Sequence, residues 1–364
     1  MKTRAAVFWG PGRPFTVEDI DLAEPGPLDV VVRMAAVGIC GTDLHNVKGE
    51  WDRPKPMVLG HEGAGVVEWV GDDVHGLEPG DEVVLSWAPS CHECDDCLAG
   101  RPARCVRLNR AIAGGTLVDG TTGMSLGGET LYRGTATGCL AERVVVDWRA
   151  ALPIGTGVPL RDAALLGCAA LTGVGAVLFA ARVRHGASVL VIGAGGVGQF
   201  VVQASRIAGA APIVVVDPVD GRREQARALG ATHAVAPDEL AGTLARVAPT
   251  GADYAFDVVG DPETSLLALR SSGSGATVVL VGLPPAGARL DLDPIDLIRR
   301  ERWLTGTIYG SEDPAVALPI LLEHVREGRL ELAPLVGPEF ALDQINDAIG
   351  ASLSGVAGRV LVKP

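Results

Sequence analysis

The chain has 364 residues, of which 48% are hydrophobic and 21% charged, a composition that predicts a folded protein and excludes intrinsic disorder. Its 44 acidic residues outnumber 31 Lys and Arg, and the net charge of -13 argues against a partner such as nucleic acid. Because the chain is too long for one ordinary core, we expect an acidic, soluble protein of two domains.

The beginning of the chain predicts a cytoplasmic protein. The apolar run at residues 5–9 is too short for the core of a signal peptide. Residues 163–181 carry no charge and could in principle span a membrane. Because this stretch holds several glycines and no aromatic belt flanks it, we interpret it as a buried helix between domains, with no membrane partner.

The predicted elements change in type along the chain. Short β segments come first, at residues 30–35, 63–70 and 82–87, and glycine and proline interrupt them. From about residue 160, strands alternate with helices. The strands are predicted at 188–192, 213–216, 254–259 and 276–281, and the helices at about 196–208, 222–229 and 263–270. A helix at 315–327 and a strand at 359–362 follow. The alternation predicts a doubly wound parallel sheet, so the fold class is α/β.

Four of the seven cysteines lie close together and predict a metal site. They are Cys91, Cys94, Cys97 and Cys105, with the spacing C-x2-C-x2-C-x7-C. Four thiolates around one Zn²⁺ form a closed structural site. An iron–sulfur cluster is the alternative, but in the ferredoxin motif the fourth cysteine follows after three residues and precedes proline. The spacing therefore favours structural zinc.

A glycine-rich turn after the strand at 188–192 predicts a dinucleotide-binding loop. Gly193 allows a tight turn, Gly195 lets a pyrophosphate approach the backbone, and Gly198 allows the helix to pack against the strand. Gly196 and Val197 complete the loop.

Two side chains after the next strand bear on the choice of cofactor. The carboxylate of Asp217 is expected to bind the adenosine ribose and to repel a 2′-phosphate, which favours NAD. Arg222 is the complication, because an arginine at this place can instead accept the phosphate of NADP.

Further motifs resemble one enzyme family. By themselves, Cys168 and His61 are most simply interpreted as buried core residues. However, GICGTDLH at 38–45, GHEGAG at 60–65, the four-cysteine loop, Gly167-Cys168 and the loop at 193–198 follow one another in the order found in zinc-dependent medium-chain alcohol dehydrogenases. The similarity extends over nearly the whole chain. The segments GTIYGS at 306–311 and EGRLEL at 327–332 resemble the class III and mycofactocin-associated bacterial branch.

The resemblance implies a mainly β, GroES-like catalytic domain at 1–169, a Rossmann domain at 170–308 and a return to the catalytic domain at 309–364. It also implies two zinc ions per chain and NAD as cofactors. Cys40, His61 and Cys168 would hold the catalytic zinc and leave one position open, as Lewis-acid chemistry requires. Glu62 would lie behind this metal as a neighbouring carboxylate or alternate ligand.

The resemblance assigns roles to a proton path and to the cofactor pocket. The Thr42 hydroxyl would receive the substrate proton, and His45 would pass it through the cofactor ribose to solvent. Residues expected to contact the cofactor are Thr172, Val259, Val281, Leu283 and Arg359. Gly41 departs from the family pattern, in which an arginine or histidine often faces the pyrophosphate.

Trp51 and Trp87 stand where the family places substrate-pocket side chains, although both could be ordinary core residues. Two indoles favour an apolar or aromatic primary alcohol over a sugar or a charged glutathione adduct. The resemblance thus implies an NAD-dependent alcohol dehydrogenase, a homodimer or homotetramer, acting on a small alcohol or aldehyde. Two alternatives remain at this stage: a zinc-free enone or quinone reductase, which needs neither Cys40 nor Cys168, and a non-catalytic NAD-binding redox sensor.

Overall fold

The computed structural model describes residues 1–364 and divides them into two compact units. The first unit comprises residues 1–169, 313–322 and 336–364, and the second comprises 170–312 and 323–335. The predicted division gave everything after residue 308 to the catalytic domain. Residues 309–312 and 323–335 instead pack with the second unit, where Gln203 bonds the backbone of Glu331 in both directions at 3.0 and 2.7 Å.

The first unit is built mainly from strands. They are β1 (Lys2–Phe8), β2 (Thr16–Leu22), β3 (Asp29–Gly38), β4 (Met57–Val58), β5 (Glu62–Val70), β6 (Glu82–Leu85), β7 (Met124–Leu126), β8 (Glu129–Thr130), β9 (Tyr132–Arg133), β10 (Arg143–Asp147), β11 (Ala151–Pro153), β18 (Val336–Ala341) and β19 (Arg359–Lys363). Its helices are α1 (Gly41–Lys48), α2 (Asp95–Leu98), α3 (Val106–Gly114), α4 (Leu160–Ala163) and α12 (Ile345–Leu353), and α11 (Pro314–Arg326) begins in this unit.

Two sheets enclose the core of the first unit. One has the order β8-β7-β2-β1-β4-β9, and the other has the order β11-β6-β5-β3-β19-β18, with β10 also paired to β3. β3 is central because its valine-rich sequence is buried on both faces over most of its length. Its antiparallel pairing with β5 sets Gly38 opposite Glu62, which brings the chain segments beyond these residues together.

The second unit is the predicted doubly wound sheet. Its strands are β12 (Val189–Ile192), β13 (Ile213–Val216), β14 (His233–Val235), β15 (Ala252–Asp257), β16 (Ser272–Leu280) and β17 (Trp303–Gly306), and its helices are α5 (Ala169–Gly175), α6 (Gly196–Ile207), α7 (Asp220–Ala228), α8 (Leu240–Val247), α9 (Pro262–Ser271) and α10 (Pro294–Arg300). All pairs are parallel in the order β14-β13-β12-β15-β16-β17. The strand order reverses beside β12. In folds of this kind, a dinucleotide binds at the carboxyl end of the strand where the order reverses.

The uncharged stretch at 163–181 is not the continuous buried helix that the sequence predicted. A 3₁₀ turn ends at Gly167, Cys168 has the non-helical angles φ −144° and ψ −68°, and α5 then passes into a π-helical segment at Ala176–Ala181. The helix is therefore interrupted at Cys168.

No single helix is long and apolar enough to cross a membrane, whereas the bent pair Leu160–Gly167 and Ala169–Ala181 meets these criteria together.

The buried centre of the parallel sheet should dominate the stability of the second unit. Leu190 on β12 is fully buried, so Leu190→Ala should lower the free energy of unfolding by about 3 kcal/mol through lost burial and a residual cavity. The control Leu353→Ala removes the same atoms from a leucine that is 46% exposed and should cost about 0.5 kcal/mol or less. Denaturant unfolding measures both, and equal losses would contradict the assignment of this core.

Candidate active site

The four clustered cysteines form a site of the size that one zinc ion needs. The Sγ atoms of Cys91, Cys94, Cys97 and Cys105 all lie within 4.8 Å of one another. Those of Cys91 and Cys97 are 3.8 Å apart. A tetrahedron with Zn–S bonds of about 2.3 Å has edges of about 3.8 Å. An iron–sulfur cluster would hold the sulfurs further apart because several atoms stand between them, so the spacing fits one structural zinc.

Backbone N–H groups around this loop favour the thiolate form of Cys91 and Cys94, whereas burial raises the pKa of Cys97 to about 12. The N–H of Cys94 donates to the Sγ of Cys91 at 3.3 Å. The N–H groups of Cys97 and Val106 lower the pKa of Cys94 to about 6. His92, which also lies in the loop, is largely exposed. These backbone groups therefore stabilise thiolates, which are the form of cysteine that binds a metal cation.

Cys40, His61 and Cys168 form the second group of metal donors. All three are buried, and their ligand atoms lie within 4.8 Å of one another. Cys40 follows β3, His61 precedes β5, and Cys168 stands at the break before α5. The pairing of β3 with β5 brings the first two together, and the break turns the third toward them. Three donors of two thiolates and an imidazole are typical of a catalytic zinc site with one open position.

Asp43 orients this donor set, a role that the sequence analysis missed. Its carboxylate is 1% exposed and accepts hydrogen bonds from the backbone N–H of Cys40 at 3.0 Å and of Gly60 at 3.2 Å. Nδ1 of His61 lies 3.3 Å from the same carboxylate, which leaves Nε2 for a metal. Asp43 is the third residue of α1 and completes a capping box with Cys40. An acid three residues after a helix start is the signal that could have revealed it.

A buried ion pair lies beside the metal donors. Nε of Arg359 is 2.9 Å from Oε1 of Glu62, and Nη1 donates to the carbonyl of Ile39 at 3.1 Å. Burial raises the pKa of Glu62 to about 7 even though Arg359 opposes this change. Nη2 of Arg359 has no hydrogen-bond partner. The predicted contact of Arg359 with a pyrophosphate stays a prediction.

The charge balance of this pocket fits a bound cation. A hydrogen bond from Cys168 lowers the pKa of Cys40 well below its ordinary value, and Arg359 lowers it further. The same hydrogen bond raises the pKa of Cys168 well above its ordinary value, so one thiolate, at Cys40, lies in this buried region beside the carboxyl groups of Glu62 and Asp43. A divalent ion balances this charge, so the residues present fit zinc. The chain carries donor sets for two zinc ions, as predicted.

Thr42 and His45 lie on α1, three residues apart, and therefore on the same side of the helix. Nδ1 of His45 hydrogen-bonds the carboxylate of Glu50. The Trp51 indole stacks on the imidazole with ring centres 4.4 Å apart and planes at 20°. Trp87 follows β6 and is buried. The structure thus gives His45 two neighbours that its sequence position alone did not indicate.

The dinucleotide loop has the backbone that its glycines predict. Gly193 has φ +93°, and a Cβ on Gly198 would lie 1.9 Å from the carbonyl oxygen of Gly193. Gly195 caps the start of α6, and a Cβ added to it would meet nothing within 4 Å. The helix N-terminus is thus open at the point where a phosphate could approach. Gly196 and Val197 form its first turn.

The carboxylate of Asp217 supports this loop. It is 3% exposed and accepts the backbone N–H of Ala194 and of Val219, each at 2.8 Å. Nη1 of Arg222 lies 3.9 Å from it. Two backbone N–H groups therefore hold the Asp217 carboxylate at the end of β13, where a ribose binds in Rossmann folds.

The remaining predicted cofactor contacts also lie in the second unit. Val259, Val281 and Leu283 follow β15 and β16, and Thr172 is on α5. Asp257, missed by the sequence analysis, fixes two of them. Its carboxylate accepts the N–H of Val259 at 3.0 Å, and its carbonyl accepts the N–H of Val281 at 2.8 Å.

Comparisons with known proteins match two parts of the chain to two family models. Residues 26–156 match the family model of the alcohol dehydrogenase GroES-like domain, and residues 196–323 match that of the zinc-binding dehydrogenases. The chain is 34% identical over 370 residues to an S-(hydroxymethyl)glutathione dehydrogenase of Photobacterium damsela subsp. piscicida, covering 100% of both sequences.

Solved structures resemble the whole chain. An alcohol dehydrogenase zinc-binding domain protein from Burkholderia ambifaria has a TM-score of 0.94 and 35% identity, with 100% of this chain and 99% of the other covered. The benzyl alcohol dehydrogenase of Acinetobacter calcoaceticus has a TM-score of 0.93 and 29% identity at the same coverage of 100% and 99%. These matches confirm the predicted GroES-like and Rossmann fold class, and the chain belongs to the zinc-dependent medium-chain alcohol dehydrogenases.

Proposed function

We propose that this chain transfers a hydride between a primary alcohol, apolar or aromatic, and NAD, forming the aldehyde or running in reverse. The observation that carries the proposal is the three-donor set Cys40, His61 and Cys168. A closed structural site needs a fourth protein ligand, whereas a set of three leaves a position for substrate. A zinc-free reductase or a non-catalytic sensor would have no use for this set. The first unit would act as the catalytic domain and the second as the NAD-binding domain.

The residues of α1 are proposed to move the proton. When bound, zinc supplies Lewis acidity and NAD supplies the hydride acceptor. The Thr42 hydroxyl would take the alcohol proton while giving up its own, because a protonated hydroxyl cannot persist at neutral pH. The imidazole of His45 would accept the proton, through the cofactor ribose, and release it to solvent.

The substrate class is inferred from two indoles. Trp51 stacks on the ring of His45, and Trp87 is buried after β6. Such side chains favour an apolar or aromatic alcohol, and one structural relative is a benzyl alcohol dehydrogenase. Another relative acts by name on S-(hydroxymethyl)glutathione, whose charges would need positive partners that the indoles do not supply.

The edge of the parallel sheet supports a homodimer or homotetramer. β17 is the outer strand, and Trp303 on it is 72% exposed. Ile298 on the preceding α10 is 73% exposed. An open strand edge beside exposed apolar side chains is a surface that a second copy of the chain can cover. We therefore propose that the subunit contact lies at this edge.

The metal content of the wild type and of two variants should distinguish the structural zinc site from the catalytic one. Native mass spectrometry should find two zinc ions per chain in an assembly of two or four chains. Cys97→Ser should remove one zinc and lower the melting temperature, because a structural site contributes folding energy. Cys168→Ser should remove the other zinc and abolish turnover with the fold retained. One zinc or iron in the wild type, or a single chain per particle, would contradict these assignments.

Steady-state assays should show which cofactor and which substrate the enzyme prefers. The wild type should oxidise benzyl alcohol with NAD far better than with NADP, and should be poor with S-(hydroxymethyl)glutathione. Asp217→Ala removes the charge that repels a 2′-phosphate and leaves Arg222, so the NAD-to-NADP ratio of kcat/KM should fall by about tenfold or more. Because Asp217 also bonds the loop, affinity for both cofactors should weaken. Equal use of NADP by the wild type would contradict our interpretation of Asp217.

Replacing His45 should make the proton path visible. A protonated imidazole cannot accept a second proton, so alcohol oxidation should decline as the pH falls. In His45→Gln, oxidation near neutral pH should drop by about tenfold to a hundredfold, and small buffer bases should partly restore it. The mutant comparison is decisive because zinc produces a pH dependence of its own. An unchanged pH profile without buffer rescue, while hydride transfer limits the rate, would refute the relay.

A further inference from the structure

The end of α1 brings a carboxylate to the predicted relay histidine. Gly49 has φ +73°, and its N–H donates to the carbonyl of Asn46 at 3.1 Å. The N–H of Glu50 donates to the carbonyl of His45 at 2.9 Å. These two bonds define a Schellman motif, in which the residue after the left-handed glycine lies against the residue five positions earlier. The glycine therefore turns Glu50 back beside His45.

Glu50 and its neighbour hold the imidazole on two sides. The Glu50 carboxylate contacts Nδ1 of His45, and Trp51 covers a face of the ring. The His45 and Glu50 side chains are 18% and 27% exposed, so solvent only partly competes for this contact. The other charged groups nearby are Lys48, 3.9 Å from Oε1 of Glu50, and Arg53, 5.8 Å from the centre of the Trp51 ring.

We propose that Glu50 is a positioning residue of the proton path, which rests on the function proposed above. Its carboxylate accepts the hydrogen bond of Nδ1–H and so keeps that proton on Nδ1. The lone pair then remains on Nε2, which receives the proton leaving the alcohol and later gives it to solvent. Glu50 itself neither gains nor loses a proton in the cycle. A histidine whose other nitrogen is not held can carry its proton on Nε2 and cannot then accept another there.

Nitrogen NMR of protein labelled at its histidine rings tests this contact without any turnover. The His45 signals are assigned by their loss in His45→Gln. The wild type should show His45 with the proton on Nδ1 alone, whereas Glu50→Ala should show the Nε2–H form. Asp52→Ala is the matched control, because Asp52 is exposed, lies two residues away and pairs only with Lys55 at 3.7 Å. It should match the wild type. If Glu50→Ala leaves the tautomer unchanged, the proposal is wrong.

Kinetics then test whether the contact serves the proton path. Glu50→Ala should slow alcohol oxidation near neutral pH by about tenfold, the size typical of losing a carboxylate that orients a functional histidine. Glu50→Gln keeps an acceptor oxygen of the same reach and should retain most of the rate. In a His45→Gln background, Glu50→Ala should have no further effect. A tenfold loss in that background as well would overturn the proposal.

The two experiments also separate this proposal from the proposed function. If the wild type oxidises no alcohol with either cofactor, the proposed function fails, while the NMR result still decides whether Glu50 sets the tautomer. If the alcohol is oxidised and the tautomer does not depend on Glu50, only the positioning role fails. Melting temperatures of the Glu50 variants within a few degrees of the wild type identify the rate changes as local.

Discussion

The buried carboxylate of Asp43 is the contact on which the active site of the first unit depends. It joins the N–H of Cys40, the N–H of Gly60 and the imidazole of His61, so it ties the end of β3 to the start of β5. A carboxylate buried this deeply needs hydrogen bonds and nearby positive charge to offset its lost hydration. Arg359 supplies part of this positive charge. A divalent ion held by Cys40, His61 and Cys168 would supply the remainder. The start of α1 thus links two of the three donors, Cys40 and His61, and the break before α5 adds Cys168.

Carboxylates orient functional groups at several other places in the chain. Asp217 fixes the dinucleotide loop through Ala194, and Asp257 fixes the backbone of Val259. Glu50 contacts the ring of His45. In each case the acid fixes a neighbouring group, and Asp217 is proposed to face the cofactor ribose as well. Asp43 lies inside the GICGTDLH motif, whereas Asp217 comes only after the next strand, so backbone geometry and not a fixed spacing sets their roles.

The sequence predicted the parallel sheet and the four-cysteine site, because apolar strands, glycine turns and cysteine spacing are local patterns. Cys40, His61 and Cys168 lie far apart in the sequence, and only the resemblance to a known family indicated them as metal donors. The sequence analysis placed β13 at its observed bounds but missed β14, which has three residues, and α8, which has eight. It treated 163–181 as one helix because composition does not reveal that Cys168 leaves helical angles. The roles of Asp43 and Glu50 depend on how α1 is capped at each end. These contacts become visible only once the helix bounds are known.

The central claim is that Cys40, His61 and Cys168 hold a metal with one open position. Replacing zinc by cobalt and recording the visible absorption while imidazole is added tests it most directly, because cobalt bands respond to a new ligand. We expect the bands to shift on addition of imidazole and the shift to be absent in Cys168→Ser. A wild-type spectrum that imidazole does not change would show a closed site and contradict the account.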